Sequence, residues 1–404
     1  MPRRHKCDPE ESSDHEDHDC ECHDHKKKHH KHHDHKKCKH SHKHEDEDDE
    51  CEHEHEHNHE CHDHKCESSS EDCDHHDHNC CHQIKQLYTV KNLVSNVPGL
   101  APNVDPNALN SWGIVFHNDK LVVAQNHAGV ITTYDTNGIL LAPVITVPAA
   151  SGVTGDIGSP TGIVRNCGTG FVITGIISAP ATYLVATEDG TVAAYNANVN
   201  LTNAITAVNR SGVDANYKGL AITETNLYVA DFHNNRIDTF DTSFNLLAGF
   251  PFVDPALPVG YAPFNIVYLH KKLYVLYAKQ DAAAEDDVAG PGNGYVSIFT
   301  TSGLFIKRFI SQGYLNSPWA LIPAPKSTRC DLSKCAVLIG NHGDGTINAF
   351  DKNGKFVGRL RDCNCADIII DGLWGLTKNL FFAAGPNNEE NGLVGKISKG
   401  CCKC

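Results

Sequence analysis

Six variants of one short phrase recur along the chain, and this repetition constrains the fold more than any other feature. Each copy places a glycine, alanine or asparagine before an aliphatic residue. The copies are Ser111-Trp-Gly-Ile-Val-Phe, Pro160-Thr-Gly-Ile-Val, Tyr217-Lys-Gly-Leu-Ala-Ile, Ala262-Pro-Phe-Asn-Ile-Val, Ser317-Pro-Trp-Ala-Leu-Ile and Ile370-Asp-Gly-Leu-Trp-Gly-Leu. Landmark residues in successive copies are 50, 57, 45, 55 and 55 positions apart. A period of about 40–50 residues plus loops is typical of β-propeller blades.

Each copy is followed by a second apolar run and then by a third that ends in an aromatic residue and a polar turn. In unit one these runs are Leu121-Val-Val-Ala and Val130-Ile-Thr-Thr-Tyr-Asp. In unit two, either Phe171-Val-Ile-Thr or Tyr183-Leu-Val-Ala fits the second run. Helical periodicity is absent throughout residues 84–404, whereas short β-rich runs between turn residues indicate strands.

The last unit lacks its fourth strand, because the chain stops soon after the third. The β-rich segment 86–94 precedes unit one and has no other partner. We therefore expect it to complete blade six, which would protect an otherwise open sheet edge. The sequence predicts an all-β fold, a six-bladed β-propeller over residues 84–404 closed by an N-terminal strand.

Residues 1–83 have an entirely different composition. They contain 23 of the 28 histidines, 10 of the 18 cysteines, and 12 Lys and Arg against 26 Asp and Glu. Scarcely any aliphatic residue is present, so we expect this segment to be disordered on its own. Residues 84–404 carry 23 basic and 24 acidic residues, and no basic face suggests nucleic acid as a partner.

Thiolate and imidazole ligands are dense in this N-terminal segment and suit Zn²⁺, Cu and Ni²⁺. No spacing matches a zinc finger, so we expect many interchangeable sites for a divalent transition metal, with zinc as the expected ion. A solvated spacer without a metal role is the alternative. The ligand candidates are Cys20, Cys22, His23, His25, His53, His55, His57, His59, Cys61, His62, His64 and Cys66.

Polar turns follow the second strand of every unit and should face one mouth of the central channel. Three of the five histidines outside the N-terminal segment lie in these turns, which suggests a divalent-metal or acid–base site. The alternative is that Asn, Asp, His and Gly are simply the residues that tight turns use. The possible site at the channel mouth consists of His127, His233, His342, Asp231 and Asp344.

Tryptophans and the remaining cysteines allow two further expectations. Trp112, Trp319 and Trp374 lie in first strands beside Gly or Ala, which favours packing between blades over a stacking platform for ligands.

Cysteines at the two ends of the propeller should approach each other. They could form a metal clasp or a disulfide, or they could be flexible ends without a role. These are Cys80 and Cys81 at one end, and Cys401, Cys402 and Cys404 at the other. Cys330 and Cys335 should lie on the rim opposite Cys363 and Cys365.

Long motifs across residues 92–397 resemble a family of uncharacterised bacterial proteins that are often exported. Among these motifs are Asn110-Ser-Trp-Gly-Ile, Ala230-Asp-Phe-His-Asn, Gly260-Tyr-Ala-Pro-Phe-Asn-Ile, Asp371-Gly-Leu-Trp-Gly-Leu and Ala384-Gly-Pro-Asn-Asn-Glu-Glu. The resemblance implies a six-bladed propeller and no particular reaction. The His/Cys-rich segment lies outside it.

Three functional hypotheses follow. The first is a non-enzymatic binding protein with a metal-binding tail, whose partners are metal ions and possibly a protein. The second is a metal-assisted hydrolase or lactonase with its site at the channel mouth, and the third is a structural or particle component tethered by its tail. The sequence identifies no catalytic residues and no organic cofactor. No hydrophobic leader or apolar run of about 20 residues is present, which favours an intracellular protein without a membrane partner.

Overall fold

The computed structural model describes residues 87–152, 156–325 and 336–400. Six of the seven sheets in these residues, one for each copy of the sequence phrase, are arranged as the blades of a β-propeller. The six-bladed fold predicted from the repeats is confirmed. Residues 1–86, with all twelve predicted metal ligands, lie outside the described residues.

Blades one to three follow one another along the chain. Blade one consists of β3 (Ser111–His117), β4 (Lys120–Gln125), β5 (Val130–Asp135) and β6 (Leu140–Thr146). Blade two consists of β7 (Pro160–Arg165), β10 (Tyr183–Thr187), β11 (Thr191–Tyr195) and β12 (Ile205–Asn209). Blade three has three paired strands, β13 (Tyr217–Ile222), β14 (Asn226–Asp231) and β15 (Arg236–Asp241).

Blades four to six continue the pattern. Blade four consists of β16 (Tyr261–Leu269), β17 (Lys272–Lys279), β18 (Tyr295–Phe299) and β19 (Phe305–Ser311). Blade five consists of β20 (Pro318–Pro323), β21 (Val337–Asn341), β22 (Ile347–Phe350) and β23 (Phe356–Arg359). Blade six consists of β25 (Leu373–Leu376), β26 (Phe381–Ala384), β27 (Leu393–Lys399) and β1 (Leu87–Ser95).

The first strand of the described chain closes the ring. Strand β1 pairs antiparallel with β27, and Tyr88 lies opposite Lys399 while Ser95 lies opposite Leu393. Two short strands, β2 (Asn103–Val104) and β24 (Arg361–Asp362), pair with β1 in parallel. The predicted role of segment 86–94 is therefore confirmed, with the strand observed at Leu87–Ser95.

The first strand of each blade lines the axis, and each contacts the first strands of both neighbouring blades. This crowding explains why the phrase contains glycine, because the first strands leave no space for a Cβ atom. A Cβ atom on Gly113 of β3 would lie 2.6 Å from the carbonyl oxygen of Thr161 in β7. A Cβ atom on Gly219 of β13 would lie 2.0 Å from Oδ1 of Asn265 in β16. Small residues in the phrase thus allow adjacent blades to approach each other closely.

Apolar clusters fill the interfaces between blades. One joins blades two and three around Leu184 and Val229, and another joins blades three and four around Tyr228 and Val275. The middle strands are buried along almost their whole length because each of their faces packs against a neighbouring blade. This explains why they are continuously apolar rather than alternating.

The structure also resolves the alternatives in unit two. Tyr183–Thr187 is the second strand of the blade, whereas Val172–Thr174 (β8) pairs with Ser178–Pro180 (β9) as a separate hairpin. The helical content of the described residues is one 3₁₀ turn, Ser211–Val213. No helix in this part of the chain is long and apolar enough to cross a membrane.

Candidate functional site

A β-bulge lies at the same position in the first strand of every blade, and five of the six residues at this position contact one another at the centre of the propeller. In each blade, the pairing between the first and second strands shifts at the same position of the phrase. A bulge leaves one residue unpaired and re-aims its side chain. The residues at the six equivalent positions are Trp112, Thr161, Lys218, Phe264, Trp319 and Trp374.

Four aromatic side chains close the centre of the channel. The rings of Trp112 and Trp374 stack with centroids 3.7 Å apart, and Trp319 meets both of them edge-on. The rings of Phe264 and Trp374 are in contact, with centroids 5.7 Å apart. All four are buried. We call these four residues the aromatic plug, and its packing agrees with the expectation that the tryptophans are core residues.

Lys218 is the one charged residue among the six axial positions. It is 1% exposed, and its Nζ lies 5.5 Å from the ring centroid of Trp112. Nζ donates hydrogen bonds to Glu188 and, at 3.2 Å, to Asp286. Burial disfavours the charged ammonium group, but the two carboxylates outweigh this effect and raise the pKa of Lys218. The lysine is therefore a buried cation held by loops of the two neighbouring blades.

His342 covers a second member of the plug, Trp374. Its imidazole stacks on Trp374 with centroids 3.6 Å apart, and Nε2 lies 3.4 Å from Oε1 of Glu389. Asn110 donates to Oε2 of Glu389 at 2.7 Å and accepts a hydrogen bond from Nε1 of Trp374 at 2.9 Å. Burial raises the pKa of Glu389, but the hydrogen bond and charge of His342 outweigh it, so the pKa lies below its usual value. Glu389 is thus held as a carboxylate.

The charge of Lys218 also lowers the pKa of Glu389, so we treat these groups as one polar layer at the plug and call it the mouth cluster. It consists of Lys218, Glu188, Asp286, His342 and Glu389. Asn126 extends the layer into blade one, because its side chain donates to Oε2 of Glu188 at 2.9 Å. The cluster therefore combines one cation, three carboxylates and an imidazole over an apolar floor. Such an arrangement can recognise a charged group by ion pairing and an adjacent flat group by stacking.

The sequence predicted part of this cluster. Of its residues, only His342 was among the predicted site residues. Asn126, Glu188 and Glu389 lie in the polar turns after second strands, whereas Lys218 and Asp286 were not singled out. Aligning the six phrases offers a signal for Lys218, since it stands where other copies have Trp, Phe or Thr.

The predicted site of three histidines and two aspartates is distributed differently. His342 joins the mouth cluster, while His127 is exposed and His233 accepts a hydrogen bond from Gln280 through its backbone carbonyl. Among the described residues, no group of three or more His, Cys, Asp or Glu side chains is placed to hold a metal ion. A ligand role for the full set stays a prediction.

Both aspartates of that set bond within their own turns. Asp231 is buried, accepts hydrogen bonds from Asn234 and pairs with Arg236 at 3.0 Å. Burial is the main reason that its pKa is raised. Asp344 accepts hydrogen bonds from the hydroxyl of Thr346 and the side chain of Asn341. These contacts are the ones expected of structural turn residues.

The remaining predicted cysteines are mostly outside the described part of the chain. This applies to Cys80, Cys81, Cys330, Cys335 and to the three cysteines that follow Gly400. The expected opposition of Cys330 and Cys335 to Cys363 and Cys365 is therefore untested.

Solved structures share the fold at low sequence identity. Virginiamycin B lyase from Staphylococcus aureus is 10% identical, with 77% of this chain and 99% of that chain covered and a TM-score of 0.45. A protein of unknown function from Bacteroides thetaiotaomicron is 12% identical, with 78% and 76% covered and a TM-score of 0.49. These similarities concern architecture and carry no argument about activity. No model of a known protein family matches the chain.

Relatives by sequence come from a virus, whereas the motif resemblance pointed to bacterial proteins. Uncharacterized protein L690 of Acanthamoeba polyphaga mimivirus is 40% identical over 329 residues, which cover 77% of this chain and 86% of that protein. Uncharacterized protein R648 of the same virus is 39% identical over 326 residues, covering 77% and 80%. The bacterial assignment is thus not what the sequence relatives show. The chain belongs to the same protein family as mimivirus L690 and R648.

Proposed function

We propose that this protein is a non-enzymatic binding protein whose propeller recognises a cationic group at the mouth cluster. A second element of the proposal is that residues 1–83 bind zinc or a similar transition metal. The observation that carries the first element is the buried Lys218, around which carboxylates from separate blades converge. A buried charge is costly unless it is well paired, and the carboxylates that pair with Lys218 hold it in a defined electrostatic arrangement at the axis.

The excess of carboxylates over lysine at the mouth cluster favours a cationic ligand. Three carboxylates, Glu188, Asp286 and Glu389, share the mouth with a single lysine. Asp286 is the most accessible of them, with its side chain 78% exposed. An incoming ammonium or guanidinium group would meet the exposed carboxylate of Asp286 there, and guanidinium matches a carboxylate with two parallel hydrogen bonds.

The rigidity of the mouth cluster favours ligand binding over catalysis. The floor of the mouth is a stacked aromatic plug, and Asn110 ties that plug to Glu389 through two hydrogen bonds. A site whose side chains are already held in place loses little conformational entropy when it binds a partner. The alternative of a metal-assisted hydrolase would gain support from a metal ion that the propeller retains and that His342→Ala removes.

The test of the mouth uses the full chain and two small probes. We expect calorimetry to detect binding of N-acetyl-arginine amide and none of the uncharged N-acetyl-glutamine amide. Asp286→Asn and Glu389→Gln should each weaken arginine-amide binding about tenfold or more, since a charged hydrogen bond is worth about 1.5–3 kcal/mol. Asp287→Asn is the matched control in the same loop and should bind like the parent chain. Equal affinity in all four proteins would refute the mouth proposal.

The metal-binding element rests on composition alone and has its own test. Zinc is measured by elemental analysis in the full chain and in a chain of residues 84–404, and we expect most of the zinc to be lost with the tail. Histidine titrates near pH 6.5, and only the neutral imidazole binds metal. Zinc affinity of the full chain should therefore fall between pH 7.5 and pH 5. Equal affinity at both pH values would contradict a histidine-based tail site.

A further inference from the structure

Two positions in the whole sequence match the acceptor motif for N-linked sugars, which is an asparagine followed two residues later by serine or threonine. They are Asn200-Leu-Thr and Asn209-Arg-Ser, and both lie in blade two. Asn200 lies in the turn between β11 and β12, and Asn209 is the last residue of β12. An N-linked sugar is bulky and is carried on the side-chain nitrogen Nδ2. The folded chain therefore accommodates it only where this nitrogen is accessible and free of other contacts.

The turn that carries Asn200 is fixed by hydrogen bonds to its backbone. Thr146 of blade one donates its backbone N–H to the carbonyl oxygen of Thr202 at 2.8 Å. The hydroxyl of Tyr195 donates to the carbonyl oxygen of Leu201 at 3.0 Å. Asn200 is half-buried, whereas Leu201 and Thr202 are exposed. The three residues of the motif thus lie together at a defined place on the surface.

The oxygen of the Asn200 side chain orients its amide. Oδ1 accepts hydrogen bonds from the backbone N–H groups of Thr202 at 3.1 Å and Asn203 at 3.0 Å, which is an Asx turn. No described residue accepts a hydrogen bond from Nδ2 of Asn200, and this nitrogen is not among the buried polar atoms that lack a partner. Nδ2 is therefore accessible to solvent, while the backbone holds the oxygen of the same amide.

Asn209 uses the same nitrogen for a contact within the fold. Its Nδ2 donates to the carbonyl oxygen of Ala150 at 2.9 Å, in the connection from blade one to blade two. Its Oδ1 accepts hydrogen bonds from the backbone N–H and the hydroxyl of Ser211, at 3.0 and 2.7 Å. A sugar on Nδ2 of Asn209 would compete with Ala150 for space. The two motifs are therefore not equivalent in the folded chain.

We propose that Asn200 is a site of N-linked glycosylation and that Asn209 is not. The donor is an N-acetylhexosamine whose anomeric carbon carries a phosphate or pyrophosphate leaving group. Nδ2 attacks that carbon, so one C–N bond forms and the C–O bond to the leaving group breaks. One amide proton passes to a base of the transferring enzyme, which lies outside this chain, and no atom is oxidised or reduced.

A sugar on Asn200 would lie beside exposed apolar residues. Ile176, at the tip of the β8–β9 hairpin, is 88% exposed, and its backbone N–H donates to the carbonyl oxygen of Val199 at 3.2 Å. Leu201 is 60% exposed. A bulky hydrophilic group at Asn200 would shield this aliphatic surface from other molecules. The site shares no residue with the mouth cluster or the N-terminal tail, so it can be tested separately from both.

The experiment compares two preparations of the full chain. One is isolated from the cells in which the protein is naturally made, and the other is secreted from a eukaryotic host behind a leader that is removed on export. Peptide mass spectrometry before and after treatment with peptide-N-glycosidase identifies the sugar-bearing asparagine, and we expect Asn200 alone in both. Asn200→Gln and Thr202→Ala should each abolish the added mass. Asn209→Gln is the matched control and should keep it, as should Thr202→Ser.

A second measurement needs no variant. Enzymatic removal of the sugar from the parent chain should increase its binding of an apolar fluorescent dye, and unchanged dye binding would contradict the shielding of Ile176 and Leu201. Three results would overturn the glycosylation proposal: Asn200 without a sugar in either preparation, a sugar that Asn200→Gln retains, or a sugar on Asn209.

Discussion

The imidazole of His342 lies flat on the indole of Trp374, with ring centroids 3.6 Å apart and planes inclined by 15°. This pair joins the polar mouth to the aromatic plug. It also places a surface loop of blade five directly over the first strand of blade six. Changes at the mouth should therefore be visible in the environment of the tryptophans.

The first prediction concerns this pair. His342→Ala removes the ring that covers Trp374, so water should reach the indole. We expect a red shift of tryptophan fluorescence and stronger quenching by acrylamide. His127→Ala is the control, because His127 is an exposed histidine in the corresponding turn of blade one. Identical quenching of both variants would mean that His342 does not shield the plug.

The second prediction concerns the buried lysine. Lys218→Ala leaves the carboxylate of Glu188 without its partner and opens a cavity beside Trp112. Breaking a buried ion pair typically costs about 3–5 kcal/mol, and we expect a loss toward the lower end because Glu188 is partly exposed. Urea denaturation measures the change in the free energy of unfolding.

Two further variants separate charge from packing at this position. Lys218→Met/Glu188→Gln removes both charges while keeping most of the volume, and we expect it to recover part of the lost stability. Lys279→Met, at the exposed end of β17, should leave stability unchanged. A neutral effect of Lys218→Ala would contradict the electrostatic role assigned to the lysine.

The third prediction tests the close approach of blades three and four. Gly219→Ala would place a Cβ atom 2.0 Å from Oδ1 of Asn265 and 3.0 Å from its Cα, so side chain and backbone must both shift. Overpacking of this kind costs about 1–3 kcal/mol. Gly212→Ala is the control, since no atom lies within 4 Å of its Cβ position. Thermal denaturation should show a lower midpoint for the first variant alone.

The fourth prediction concerns acid stability. The pKa of Glu389 is lower in the folded chain than its usual value of about 4.3. Its contribution to stability is therefore complete above the pKa of the unfolded state and is lost as pH falls through the lower folded value. Glu389→Gln should reduce the difference in denaturation midpoint between pH 6 and pH 3. Glu390→Gln, the neighbouring residue, should leave that difference as it is in the parent chain.

The repeated phrase was sufficient to predict the number of blades and the closing strand. Both depend on spacing and on patterns of apolar residues, which are local properties of the sequence. Segment 86–94 was identifiable because blade six lacked an outer strand, and the structure pairs β1 with β27.

The axial residues depend on features that the sequence does not display. A shift of one residue in strand pairing decides whether Lys218 faces a neighbouring blade or the axis. Contacts such as Asn110 with Glu389 join positions 279 residues apart, and nothing local marks them. The predicted turns therefore contained Glu188, His342 and Glu389, but the set of residues that meets in the mouth cluster was not predicted.

The bulge at the same position of all six phrases has a consequence for how this architecture can diversify. Each blade contributes a single residue at the bulge, and that residue does not take part in the strand pairing that holds its sheet together. Exchanging it changes the central chemistry while the neighbouring pairings remain intact. A protein built in this way can acquire a new specificity through a handful of point substitutions, without redesigning its scaffold.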